Sequence, residues 1–218
     1  MSTHASGGIL DQLSVVGVIP VISVDSAAQA RDLASALCDG GLPAAEITFR
    51  TPAAAEAIAA VAHAGTDILL GAGTVITVEQ VDQAAAAGAS YIVSPGTSQA
   101  VIQRAQEHGL AVLPGAVTAT EIQAALELGV ETVKFFPAGT SGGPAAIKAL
   151  SAPFGGVSFV PTGGVNLTNL EDYLSIPAVR AAGGSWMVPQ DKIRAGQFSD
   201  IRELAAEAAA AVARIRAS

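Results

Sequence analysis

The feature that most constrains this chain is an alternation. Short apolar, β-branched runs take turns with alanine-rich segments of helical period from one end to the other. The runs cover residues 15–22, 44–50, 68–73, 91–94, 111–117, 132–137, 158–162 and 181–187. Helices are expected between and after them near 26–38, 52–62, 78–87, 99–107, 120–128, 144–149, 167–173 and 199–214. Strands that alternate with helices through short glycine-containing links form right-handed parallel βαβ units. Eight such units suit closure into a (β/α)8 TIM barrel, an α/β fold with an eight-stranded parallel sheet; a doubly wound open sheet is the alternative. A chain of 218 residues, 50% hydrophobic, is long enough for one such core. The expectation is a single domain over 1–218 with a short N-terminal extension. The glycines of Gly71-Ala72-Gly73 do not make a dinucleotide site, because no GxGxxG opens a helix with an acidic residue about 20 positions on.

Charge and composition remove several function classes. The formal net charge is -8, and phosphate backbones and anionic lipid surfaces select basic proteins, so neither nucleic acid nor membrane is expected as a partner. An anionic ligand would have to be held by local chemistry. The one cysteine, Cys38, allows no intramolecular disulfide, which fits a reducing compartment. His4, His63 and His108 lie far apart, so no metal-ligand spacing appears and no metal is expected. The N-terminal residues lack a basic leader, and nowhere do about 18 uncharged apolar residues follow one another. A cytoplasmic protein is expected.

Within the run ETVKFFPA, Lys134 stands between Val133 and Phe135, where a surface lysine has no evident place. A lysine withdrawn from water favours the neutral amine, which is nucleophilic and is what a Schiff-base enzyme requires. The same residue on an edge strand could instead carry its ammonium out to water along its apolar stem. Strand parity adds to the first reading, since residues two apart share a face. Glu46, Thr48 and Arg50 share one face of the second strand, and Thr132, Lys134 and Phe136 share one face of the sixth. The opposite face of the second strand, Ala45, Ile47 and Phe49, suits packing under helices. If both polar faces look inward, three charged groups converge; if not, Glu46 and Arg50 form an ordinary ion pair.

Barrel enzymes work at the carboxyl ends of their strands. Those ends here carry Arg50-Thr51, Gly73-Thr74, Ser94-Pro95-Gly96, Pro114, Phe136-Pro137, Gly163-Gly164 and Gly184-Ser185. The last two pairs follow the seventh and eighth strands, where barrels often bind phosphate on backbone N–H groups; each pair alone is equally a tight turn.

Taken in order, VIPVI, EITFRT, GAGTV, VSPG, LPGAVT, VKFFPA, PTGGV and GGSWMVP resemble the bacterial 2-keto-3-deoxy-6-phosphogluconate aldolases of the Entner-Doudoroff pathway, which also cleave 4-hydroxy-2-oxoglutarate. The likeness runs from about Val15 to Pro189. It implies a class I aldolase, a lyase of carbohydrate metabolism that forms a Schiff base with pyruvate on a lysine and needs no other cofactor, in a homotrimer of barrels. It implies Lys134 as the imine-forming residue and Glu46 as the general acid and base. Arg50 and Thr74 would hold the pyruvyl carboxylate, Thr162 and Phe136 would line the pocket, and Gly163, Gly164, Gly184 and Ser185 would take the phosphate. The chain departs from the family pattern in Phe49, where leucine is common, and in a first strand without the arginine that some relatives carry. Rival readings are an aldolase preferring 4-hydroxy-2-oxoglutarate or the galactonate-derived phosphate, and a phosphate-binding barrel that uses Lys134 only as a charge.

Overall fold

The structure, a computed structural model, describes residues 4–217. Residues 1–3 and 218 of the expected domain lie outside it, as do the side chains of residues 4–7, His4 among them. The order is α1 (His4–Val16), β1 (Val18–Ile22), α2 (Ala27–Asp39), β2 (Ala44–Thr48), α3 (Ala54–Ala62), β3 (Leu69–Gly73), α4 (Val78–Ala86), β4 (Tyr91–Val93), α5 (Gln99–Glu107) and β5 (Ala111–Leu113). It continues with α6 (Ala119–Glu127), β6 (Thr132–Phe135), α7 (Gly143–Ser151), β7 (Ser158–Pro161), α8 (Leu170–Leu174), β8 (Ala182–Gly184), α9 (Gln190–Arg194) and α10 (Phe198–Ala217). Each of the eight apolar runs contains one strand.

All the strand pairs are parallel. Six strands form a curled sheet in the order β5-β4-β3-β2-β1-β8, and β6 pairs with β7 in a sheet of two. The two sheets meet through one or two isolated bridges at each seam. On one side Lys134 N donates to Pro114 O at 2.8 Å and Ala116 N donates to Lys134 O at 2.9 Å. On the other, Phe159 bridges Val179 and Thr162 bridges Gly183.

Side chains separate by parity as expected of a sheet with helices on one face. Outward residues such as Ile47, Ala72, Ile92, Val133 and Phe159 join the larger core beneath the helices. There Phe135 and Phe159 meet edge to face at 6.4 Å, a geometry worth roughly 0.5–1.5 kcal/mol beyond area burial. Inward residues Ile19, Ala44, Tyr91, Val93, Leu113, Val160 and Ala181 form a second, smaller cluster.

The N-terminal residues carry a helix that the sequence reading did not place. Residues 4–16 are helical, and Leu13 is buried in the inward cluster, so α1 packs across the amino ends of the strands. The run VVGVIPVI, read above as one strand, is therefore the end of a helix and the start of a strand. Gly17, at φ +81, supplies the left-handed residue that stops the helix, and its N–H bonds back to Leu13 O. Val15 is left 76% exposed. The guanidinium of Arg216, near the end of α10, donates to the terminal carbonyls of Ser14 and Val15, satisfying groups that no helical turn can reach.

Candidate active site

The site is built where β2 and β6 bring two distant residues face to face. Glu46 lies mid-strand on the inward side of β2, flanked in register by Val21 and Gly71. Lys134 lies on the inward side of β6, its main chain held by Val160 of β7 on one side and by Pro114 and Ala116 on the other. Lys134 Nζ donates to Glu46 Oε1 at 3.1 Å, with the two side chains 5% and 3% exposed. The ammonium also stands 5.2 Å from the centre of the Phe136 ring, within cation–π range. Taking two ions out of water costs more than their attraction reliably returns, so such a pair is poor evidence of a stability device.

Glu46 reaches the lysine because β3 is bare beneath it. A Cβ at Gly73 would overlap the Glu46 carboxylate, and one at Gly71 would overlap the Tyr91 ring. Tyr91 is fully buried, and its hydroxyl donates to Ala45 O at 3.0 Å. Burial, and secondarily the Glu46 charge, push the phenol well above its ordinary range, so it stays a neutral donor. Sequence reading missed Tyr91 and Gly71 as parts of the site, and took Gly73 only as a strand end. The signal was the spacing of Gly71 and Gly73, which clears two inward positions in a row.

Among the other residues singled out, Thr162 is buried at the β7–β8 contact, and its methyl and hydroxyl fill the space left by Gly183. Phe136 is half-buried beside Lys134. Gly163 and Gly164 take φ of +90 and +81, conformations that suit glycine. The Thr162–Gly183 bridge sets this turn next to Gly184 and Ser185 at the same end of the sheet. Gly184 is buried with the Trp186 ring across it, and Ser185 is exposed. Thr74, directly after β3, has φ +56; among the described residues it is the one non-glycine in that region. For a β-branched residue this is a strained conformation, of a kind that collects at functional sites.

Arg50 follows the end of β2 at Thr48, whose hydroxyl is tied to Ile22 O at 2.8 Å. It is exposed and makes no ion pair among the described residues; the partner of Glu46 is the lysine.

A cavity of about 450 Å3 lies at the other end of the strands, between α1 and β5–β6, and contains none of these residues. Among the described residues no three His, Cys, Asp or Glu side chains gather as metal ligands. None of the described helices is long and apolar enough to cross a membrane.

Fold and pair together define a class, the α/β proteins whose curled parallel sheet buries an amine against a carboxylate. Within it, the chain belongs to the KDPG and KHG aldolase family, whose model matches residues 9–204. It is 51% identical over 196 residues to a 2-dehydro-3-deoxy-phosphogluconate aldolase of Treponema pallidum, covering 90% of this chain and 93% of that protein. The KDPG aldolase of Legionella pneumophila, solved with pyruvate captured at low pH as a covalent carbinolamine intermediate, superposes with a TM-score of 0.88 at 38% identity. That match covers 95% of this chain and 99% of the other. The 2-keto-3-deoxy-6-phosphogluconate aldolase of Zymomonas mobilis ZM4, solved with 3-phosphoglycerate, has a TM-score of 0.86 at 38% identity over 92% of this chain and 95% of its own.

Proposed function

We propose that this protein is a class I aldolase, a lyase that cleaves 2-dehydro-3-deoxy-6-phosphogluconate to pyruvate and glyceraldehyde 3-phosphate through an imine on Lys134. The observation that carries the reading is the buried Lys134–Glu46 contact at 3.1 Å in a chain of this family. Lys134 attacks the C2 ketone, and loss of water leaves an iminium that accepts the electrons of the C3–C4 bond. Glu46, directly or through a water, removes the C4 hydroxyl proton as that bond breaks, releasing the aldehyde and an enamine. The same carboxyl then returns a proton to C3, and hydrolysis of the imine frees pyruvate and the lysine. No cofactor besides the imine is called for.

Arg50 is available to the substrate because no carboxylate engages it, and we assign it with Thr74 to the pyruvyl carboxylate, for which guanidinium offers a two-pronged fit. Thr162 and Phe136 line the pocket in this reading, and the N–H groups of Gly163, Gly164, Gly184 and Ser185 receive the phosphate. Contacts at both seams of the sheet support its completion as a closed (β/α)8 barrel in a single domain. A homotrimer and a cytoplasmic location complete the proposal.

A second reading, preference for 4-hydroxy-2-oxoglutarate, has support in the lack of a basic residue on β1, which leaves the phosphate end without a cation from that strand. Pyruvate release from the two acids, followed with a lactate dehydrogenase couple, separates the readings. The proposal expects higher kcat/KM on the phosphorylated acid, and loss of both activities in Lys134→Ala. Turnover of neither acid by the folded wild-type protein would refute it.

A further inference from the structure

Glu46 can serve a reaction only if its carboxylate stays over the lysine. Nothing among its polar contacts but Lys134 itself holds it there. The packing does. Glu46, Gly71 and Tyr91 occupy one row of the sheet, in register across β2, β3 and β4. Because Gly71 has no side chain, the Tyr91 ring lies across β3 and spans back to β2. There its hydroxyl bonds the carbonyl of Ala45, the peptide unit from which Glu46 departs. One step toward the carboxyl ends, the Glu46 side chain lies across β3 in the same manner, over Gly73. A methyl at Gly73 would occupy the carboxylate's place, and removal of the ring would empty the space over Gly71, in the row of the sheet from which Glu46 departs.

We infer that Gly73 and Tyr91 are positioning residues for proton transfer, a trough and a floor that fix where the Glu46 carboxylate stands. The inference rests on the aldolase reading and deepens it. Both act through Glu46. The step most exposed to a displaced carboxylate is proton exchange at C3, in which Glu46 removes a methyl proton from the pyruvate iminium to give the enamine and a solvent-derived proton returns. Imine formation, which begins with nucleophilic attack by Lys134, is less dependent on that placement.

The experiment compares two readouts in wild type, Gly73→Ala, Tyr91→Leu and Tyr91→Phe. One is the amount of borohydride-reduced pyruvate adduct on the Lys134 peptide. The other is the NMR rate at which pyruvate methyl protons exchange with deuterium. Gly73→Ala is expected to keep the adduct and lose exchange by about 100-fold, the scale of a misplacement near 1 Å. Tyr91→Leu should lose about 10-fold, and Tyr91→Phe, which keeps the ring, should recover to within about 5-fold of wild type. If Gly73→Ala fails to fold, the Leu and Phe pair decides alone. Wild-type exchange per trapped adduct in Gly73→Ala or Tyr91→Leu overturns the inference, as does a Phe variant no better than Leu. Absence of adduct in the wild type overturns the aldolase reading, and this inference with it.

Discussion

Lys134 and Glu46 are kept out of water in a layer otherwise filled by Tyr91, Val93, Leu113 and Val160, where apolar side chains would pack more cheaply. Replacing a buried ion pair by apolar residues of similar volume is commonly neutral or stabilising. The double change Lys134→Met with Glu46→Leu is therefore expected to hold or raise stability, by up to about 4 kcal/mol in urea unfolding, with all activity gone. Either single change leaves a buried charge without its partner and should cost about 3–5 kcal/mol if that charge is retained. The conservative Glu46→Gln is expected to leave the pyruvate imine trappable while turnover falls by about 100-fold or more, since a positioned acid–base group contributes on that scale. Near-normal turnover would remove Glu46 from the mechanism. Both residues were legible in the sequence, because strand parity sorts faces wherever a strand is regular. For Arg50 the rule is weaker, because it lies two residues past the point where β2 gives way to a turn. Tyr91 was hidden because its place in the site depends on which strand is its neighbour, which one chain read linearly does not reveal.

At the scale of elements, local signals and structure agree where caps are strong. Thr118 and Glu121 form a reciprocal capping box at the start of α6: Thr118 Oγ1 accepts from Glu121 N, and Glu121 Oε2 accepts from the N–H of Val117 and of Thr118, both at 2.9 Å. Burial opposes ionisation of Glu121, but the hydrogen bonds from Val117 and Thr118 outweigh it and hold its carboxyl below the ordinary value of 4.5. A depressed carboxyl contributes stability above its unfolded value, and that contribution is lost as pH falls through the folded value. Thr118→Ala should cost about 1 kcal/mol at pH 7. The deficit of Glu121→Gln relative to wild type should shrink as urea titrations move from pH 6 to below 4.5. A deficit independent of pH would contradict the role of the charged form. α1 escaped the sequence reading because its paired glycines at 7–8 oppose a helix, and because the valines at its end merged with β1 into one apolar run. What makes it a helix is tertiary: Leu13 in the inward cluster and Arg216 on its last carbonyls.

For the molecule as a whole, the alternation of eight runs disclosed the strand order in sequence and the parallel pairing. How the two sheets meet was not legible, because it depends on one or two contacts at each seam. Both seams use a glycine: Gly115 beside Lys134, where a Cβ would strike the Pro95 carbonyl, and Gly183 beside Thr162, where it would strike the hydroxyl. Gly115→Ala and Gly183→Ala should each lower stability by about 1–3 kcal/mol, the usual cost of overpacking, and thermal melts would detect it. An unchanged melting temperature in both would mean that the seams are loose. The proposed chemistry turns on one atom, the Lys134 nitrogen, which intact-protein and peptide mass spectrometry after mixing with pyruvate and borohydride reports. A single reduced adduct is expected on the peptide that contains Lys134, absent from Lys134→Met. No adduct, in folded protein that still binds pyruvate, would contradict it and leave the lysine as a fixed charge.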